Sequence, residues 1–127
     1  GSPREPIWEY LLTPESARVN FDLFETMFCL IGHSHSPLLF ELENDDCRLL
    51  TLPGRLLLAE HRKRLIVNCG SVGQPRDGDP RASYAMLDTA REELLHFRVE
   101  YDIATTQAKM QDSGLPLRLA NRLAMGW

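Results

Sequence analysis

NCGSVGQPRDGDP, residues 68–80, is the part of this 127-residue chain that is most informative about its fold. The segment follows the apolar run at residues 64–68, which predicts a buried strand. Its glycine and serine residues can offer backbone N–H groups to an anion, with Ser71 in the loop and Arg76 as a cationic partner. The alternative is a tight connection between two strands, in which glycines supply positive φ and prolines fix turns. Taken alone, the pattern favours the connection, because phosphate cradles usually lead into a helix and a strand is predicted here.

The second informative segment lies upstream, at Ile31-Gly32-His33-Ser34-His35. It ends the apolar run at residues 27–31, which predicts another buried strand. Residues i and i+2 at a strand end point the same way, so His33 and His35 are expected to project together. Neutral imidazole is the commonest metal ligand, but His-x-His taken alone favours two surface histidines at a strand end.

The remaining pattern predicts a helix, a run of strands and two closing helices. Thr13-Pro14-Glu15 is typical of a helix start, and Val19, Leu23 and Phe24 are expected on one face of a helix ending near residue 24. Two helices close the chain, one capped by Asp102 and running to about residue 112, and one starting at Pro116. The predicted strands are 38–42 and 48–52 as a hairpin, then 55–60, 64–68, 83–88 and 95–101. This order predicts an α+β fold with a largely antiparallel sheet.

Bulk composition excludes several classes of protein. Apolar residues make up 43% and charged residues 25% of the chain, which is ordinary for one globular domain. The net charge of −4 argues against a duplex nucleic-acid binder, which normally has a basic face. The chain has no apolar run long enough to span a bilayer and no secretory start, so a cytoplasmic location is expected. The three cysteines have no CxxC spacing and are expected to be free thiols.

Taken together, three segments resemble the calcineurin-like metallophosphoesterase family, in its small prokaryotic branch. GHSH at 32–35 is similar to the family's Gly-His-x-His motif. NCGSVGQPRDGDPRASYAML at 68–87 is similar to its Asn-Pro-Gly-Ser-Val-Gly-Gln-Pro-Arg segment, with Cys69 standing where the family has proline. GSPREPIWEYLL at 1–12 looks like the segment that follows a metal-binding histidine in the family's His-Gly motif. The closing helices also fit, so the resemblance spans nearly the whole chain.

The resemblance implies a fold and a metal centre. The implied fold is the second half of a four-layer α/β/β/α sandwich, with residues 1–127 as the C-terminal part of one domain. The family's site binds two divalent metal ions, which activate a water for attack on phosphorus. Carried over, His33 and His35 are ligands to different ions, and manganese, iron, zinc or nickel suits such ligands. Ser71 and Arg76 are candidate substrate-binding residues.

The same resemblance implies that most of the catalytic set lies outside this chain. The family's Asp-x-His, Gly-Asp and Gly-Asn-His-Asp motifs have no counterpart here, so no catalytic residue is expected among residues 1–127. Three origins are compatible with this pattern: an engineered fragment, a cleavage product or a truncated gene product.

Two functions follow as hypotheses. The first is metal-dependent hydrolysis of a phosphoester, by a phosphodiesterase or phosphatase to which this chain gives part of the site. The second is a non-catalytic binding or assembly module descended from that fold. A halved sandwich leaves apolar surface and strand edges uncovered. The chain is therefore expected to pair with its missing half or with a copy of itself, or to aggregate.

Overall fold

The computed structural model describes residues 1–58 and 63–127. Within them the helices are α1 (Pro14–Phe21), α2 (Ile103–Asp112) and α3 (Leu117–Asn121), followed by a 3-10 helix at Arg122–Met125. The strands are β1 (Phe28–Ile31), β2 (Pro37–Glu43), β3 (Asp46–Thr51), β4 (Arg55–Leu57), β5 (Arg64–Cys69), β6 (Ala82–Asp88) and β7 (Glu93–Val99). The predicted order of elements is confirmed.

The strands form two sheets. The first has the order β1-β5-β2-β3 and the second the order β4-β7-β6. All pairs are antiparallel except β1 with β5, which run parallel and place Ile31 opposite Asn68. The α+β prediction is confirmed, and the one parallel pair makes the larger sheet mixed. Because parallel strands end at the same edge, the segments that follow β1 and β5 emerge side by side.

The two sheets pack face to face over an apolar core. Its buried side chains come from both sheets and from the loop before β4: Leu39, Leu52, Leu56, Leu65, Val67 and Leu94. Alternation along the strands directs these residues to one side. Burial of this face fixes the register of the strands that carry the site.

Helix α1 covers the other face of the larger sheet. Thr13 caps it as predicted, and the Ser16 hydroxyl completes a capping box. Phe21 is fully buried with Phe40 and Ile66 in a second apolar cluster. The predicted apolar face was wrong, because Val19 and Leu23 are exposed and the helix ends at Phe21. The short helix therefore packs through Ala17, Asn20 and Phe21.

Other predictions were displaced by a few residues. The hairpin of β2 and β3 turns at Asn44 and Asp45, both at positive φ, as a two-residue hairpin requires. The strand predicted over 95–101 lies at Glu93–Val99. Of the strand predicted over 55–60, residues 55–57 are confirmed, and residues 59 and 60 lie outside the described residues, as does His61. The three cysteines are free thiols, as predicted.

Candidate metal centre

The loop Gly32-His33-Ser34-His35 connects β1 to β2 at one edge of the larger sheet. Between these two strands lies β5, whose last residues Asn68 and Cys69 lead into the loop 70–81. The sheet order therefore brings together the two segments that the sequence analysis singled out.

Asn68 fastens the histidine loop to the sheet. Its side chain is fully buried, and its carboxamide Nδ2 donates to the Ser34 hydroxyl at 2.8 Å and to the Gly32 carbonyl at 3.1 Å. Its Oδ1 accepts from the Gly70 N–H at 3.0 Å. One buried amide thus satisfies groups of both loops, an arrangement that fixes their relative position.

Both histidines of the loop have left-handed backbone. The φ angle is 74° at His33 and 60° at His35. This conformation is costly for residues with a Cβ and concentrates at functional sites. Sequence reasoning placed the pair at the end of an extended strand, whereas the chain turns at each histidine.

The His35 imidazole is oriented by the loop that follows β5. Its Nδ1 lies 2.8 Å from the Gln74 carbonyl oxygen, to which it donates, and the Arg76 N–H donates to the His35 carbonyl at 3.1 Å. A backbone carbonyl on one ring nitrogen is the usual way in which proteins aim the other at a metal. Burial lowers the pKa of His35, and nearby Arg76, His33 and Arg122 act in the same direction. The neutral ring, which is the metal-binding form, is therefore favoured.

The His33 imidazole packs against an aromatic ring. The ring centroids of Tyr10 and His33 are 4.2 Å apart with an interplanar angle of 31°. Within residues 1–58 and 63–127, His33 Nε2 is buried without a hydrogen-bond partner. Buried polar atoms are normally paired, so an imidazole nitrogen that has no partner, in the same loop as His35, fits a metal-ligand role.

Arg76 lies beside this pair. Its Nη2 donates to Gln74 Oε1 at 3.0 Å and its Nη1 to the Tyr10 hydroxyl at 3.5 Å. Its Nε is buried and has no partner in the described part of the chain. Ser71 has a different position, since its hydroxyl accepts from the Gln74 N–H at 3.0 Å and stabilises the turn.

The start of the second loop is tightly packed. Gly70 has φ +83°, and a Cβ added there would lie 2.6 Å from Ser83 Oγ. The Ser83 hydroxyl donates to the Cys69 carbonyl at 2.6 Å and accepts from His96 Nε2 at 2.8 Å. The His96 ring is half-buried in this packing.

The two aspartates of this loop, Asp77 and Asp79, are engaged by arginines. Asp77 pairs with Arg98, and Asp79 accepts bidentate hydrogen bonds from Arg81. Hydrogen bonds from Arg81 lower the pKa of Asp79 to about 2. These two carboxylates therefore stabilise the loop 70–81 through their ion pairs with arginines.

Among residues 1–58 and 63–127, no group of three or more histidine, cysteine or acidic side chains is arranged to hold a metal ion. In the same part of the chain, no helix is both long and apolar enough to cross a bilayer.

The fold was compared with solved structures. The chain is 44% identical to a metallophosphoesterase from Sphaerobacter thermophilus and superposes on its crystal structure with a TM-score of 0.90. The match covers 100% of this chain and 53% of that one. The chain has the fold of half a metallophosphoesterase.

A comparison of sequences likewise matches this chain to about half of a longer protein. The chain is 40% identical to the uncharacterized protein MJ0912 of Methanocaldococcus jannaschii over 127 residues, which is 99% of this chain and 49% of that protein. No family model matches the chain. The chain thus spans about half the length of the metallophosphoesterase and of the curated relative, and the predicted resemblance is confirmed.

Three residues near the candidate centre escaped the sequence analysis as site residues. Asn68 and Gln74 lie in the segment 68–80, which was interpreted as one motif without assigning a separate role to either residue. Nothing in the local sequence pattern around Tyr10 places it beside His33.

Proposed function

We propose that this chain supplies part of the two-metal site of a phosphoester hydrolase, a phosphodiesterase or phosphatase. His33 and His35 would be ligands to different ions. The observation that carries the proposal is the conformation of the loop that contains His33 and His35. Both histidines have left-handed backbone, Asn68 holds the loop by a hydrogen bond to Ser34, and the Gln74 carbonyl orients the His35 ring. This organised pair lies in a chain 44% identical to a metallophosphoesterase.

Two imidazoles are too few to hold a catalytic ion pair, so the proposal requires ligands from outside this chain. Manganese, iron, zinc or nickel would suit a set of histidines completed by carboxylates. When bound, such ions supply Lewis acidity and an activated water. The contribution of this chain is to hold both imidazoles in place before the metal arrives.

Arg76 is the stronger of the two proposed substrate-binding residues. Its guanidinium lies next to the histidine loop, and its Nε has no acceptor among the described residues. Arginine suits the planar recognition of phosphate oxygens. Ser71 would act through the turn that positions Gln74 and Arg76.

The missing part of the domain is the proposed partner of the apolar edge at β1. This strand ends the larger sheet, and Leu30 on it is 52% exposed. A groove beside it is lined by Pro3, Pro6 and Phe24. An open apolar strand edge pairs readily with another chain, and the known relatives are about twice as long. A second copy occupying this edge would be seen as concentration-dependent dimers in light scattering.

The test is manganese-dependent hydrolysis of bis-p-nitrophenyl phosphate and p-nitrophenyl phosphate by the chain, alone and with the remaining half supplied as a second polypeptide. His35→Ala should abolish turnover. Turnover only in the complemented sample supports the proposal. A folded complex without turnover would contradict it.

The rival function is a non-catalytic binding or assembly module. It is favoured by one observation: the described residues offer no group of three metal-ligating side chains. The same experiment separates the two hypotheses, because a binding module would form the complex without hydrolysing either ester.

A further inference from the structure

Tyr10 is a partly exposed aromatic residue that contacts the candidate metal centre. Its ring packs against the His33 ring with a tilt of 31° and 4.2 Å between the centroids, and the residue is 45% exposed. The neighbouring Leu11 is 1% exposed and belongs to the core under α1. The backbone at this point is therefore anchored, and Tyr10 is held over His33 by the chain itself.

The hydroxyl of Tyr10 contacts the guanidinium of Arg76. Arg76 Nη1 lies 3.5 Å from the Tyr10 oxygen. Because a guanidinium can only donate, the tyrosine oxygen is the acceptor in this contact. The tyrosine hydrogen is thus free to donate to another acceptor, in a direction set by Arg76.

Tyr10 belongs to a closed ring of contacting residues around the candidate metal centre. Tyr10 contacts His33, and the same histidine loop continues to His35. His35 is bonded to the Gln74 carbonyl, and Gln74 Oε1 accepts from Arg76, which returns to Tyr10. Replacing any one of these side chains would remove a contact from each of its two neighbours in the ring.

We propose that Tyr10 is a positioning and recognition residue for a phosphate-type oxyanion that contacts both its hydroxyl and the Arg76 guanidinium. Its ring would hold the His33 imidazole in place, and its hydroxyl and Arg76 would each donate to the anion. The recognition role rests on the proposed function, since the anion is the phosphoryl group of the substrate. The hold on His33 requires only the stacking contact.

The two roles can be separated by substitution. Tyr10→Phe keeps the ring and removes only the hydroxyl, whereas Tyr10→Leu removes both. Inorganic phosphate and Mn²⁺ serve as separate probes of the 127-residue chain, each titrated calorimetrically. Tyr84→Phe is the matched control, because Tyr84 also stacks on a ring, that of Phe97, on another part of the molecule.

For Tyr10→Phe we expect a three- to tenfold weaker phosphate affinity with unchanged Mn²⁺ affinity. For Tyr10→Leu we expect both affinities to fall. In the complemented hydrolase, Tyr10→Phe should raise KM and leave kcat within twofold. A merely structural tyrosine would change neither the phosphate affinity nor KM selectively.

The proposal is overturned if the wild-type chain binds no phosphate, or if Tyr10→Phe binds it as tightly as Tyr84→Phe does. Absence of turnover in the complemented sample, with these affinity changes present, would contradict the hydrolase function and leave Tyr10 as an anion-binding residue.

Discussion

The Asn68 carboxamide nitrogen lies 2.8 Å from the hydroxyl of Ser34, and both residues are buried. This bond is the central support of the candidate metal centre, because Ser34 is itself buried and separates His33 from His35.

Asn68→Leu should therefore destabilise the chain and weaken metal binding. It leaves the Ser34 hydroxyl and the Gly70 N–H without their partner and removes one of the two donors to the Gly32 carbonyl, at a cost of about 3 kcal/mol. Ser34→Ala removes only one bond and should cost about 1 kcal/mol. Urea unfolding measures the stability, and calorimetry measures the Mn²⁺ affinity.

The matched control for Asn68 is Asn20→Leu. Asn20 is an equally buried amide, bonded to Glu9, the Arg4 N–H and the Ser16 carbonyl, none of which belongs to the histidine loop. It should cost similar stability and leave the Mn²⁺ affinity of the remaining folded protein unchanged. Equal losses of metal affinity in both variants would show that Asn68 acts only through global stability.

The left-handed backbone at His35 gives a second prediction. Both His35→Ala and His35→Gly lose the imidazole, but glycine also relieves the strain at φ 60°. The glycine variant should be more stable than the alanine variant by about 1 kcal/mol in urea unfolding without metal. Equal stabilities would contradict the claim that the loop holds strain for the sake of its imidazoles.

Gly70 gives a third prediction, with Gly73 as its control. Gly70→Ala forces a Cβ into the left-handed region and within 2.6 Å of Ser83 Oγ, so it should cost about 2–4 kcal/mol. Gly73→Ala meets open space and should change stability by less than about 0.5 kcal/mol. Thermal unfolding of both variants checks the contrast, and a tolerated Gly70→Ala would refute this packing.

The half-buried His96 gives a pH dependence. Burial lowers its pKa in the folded state, and the positive charge of Arg98 adds to this. The unfolded chain therefore binds more protons below pH ~6.5, so stability should fall as pH drops from that value through the lowered pKa. Urea unfolding between pH 7 and 5 should show a smaller loss for His96→Gln than for wild type. Identical slopes would contradict a half-buried, neutral His96.

Much of the fold could be predicted because short-range patterns dictate it. Thr13-Pro14 begins α1, and Asp102 caps α2, since a capping side chain acts on its own helix. Apolar runs bounded by turns marked the strands. The pairing of β1 with β5 was not predicted, because parallel partners are distant in sequence and nothing local encodes them.

The candidate site was predictable in its residue types but not in its geometry. His33 and His35 were identified by their spacing and by resemblance, and their role as ligands stays a prediction. Periodicity could not show that each would adopt left-handed backbone, or that Tyr10 would stack on His33. Such contacts join segments more than twenty residues apart and depend on the packed sheet.

The central claim is that His33 and His35 are metal ligands, and paramagnetic broadening tests it most directly. Mn²⁺ would be titrated into the 127-residue chain while the imidazole NMR signals of its four histidines are followed. The account predicts that the signals of His33 and His35 broaden first, at lower Mn²⁺ concentrations than those of His61 and His96. Signals of His33 and His35 that remain sharp, or broaden no earlier than that of His61, would contradict it.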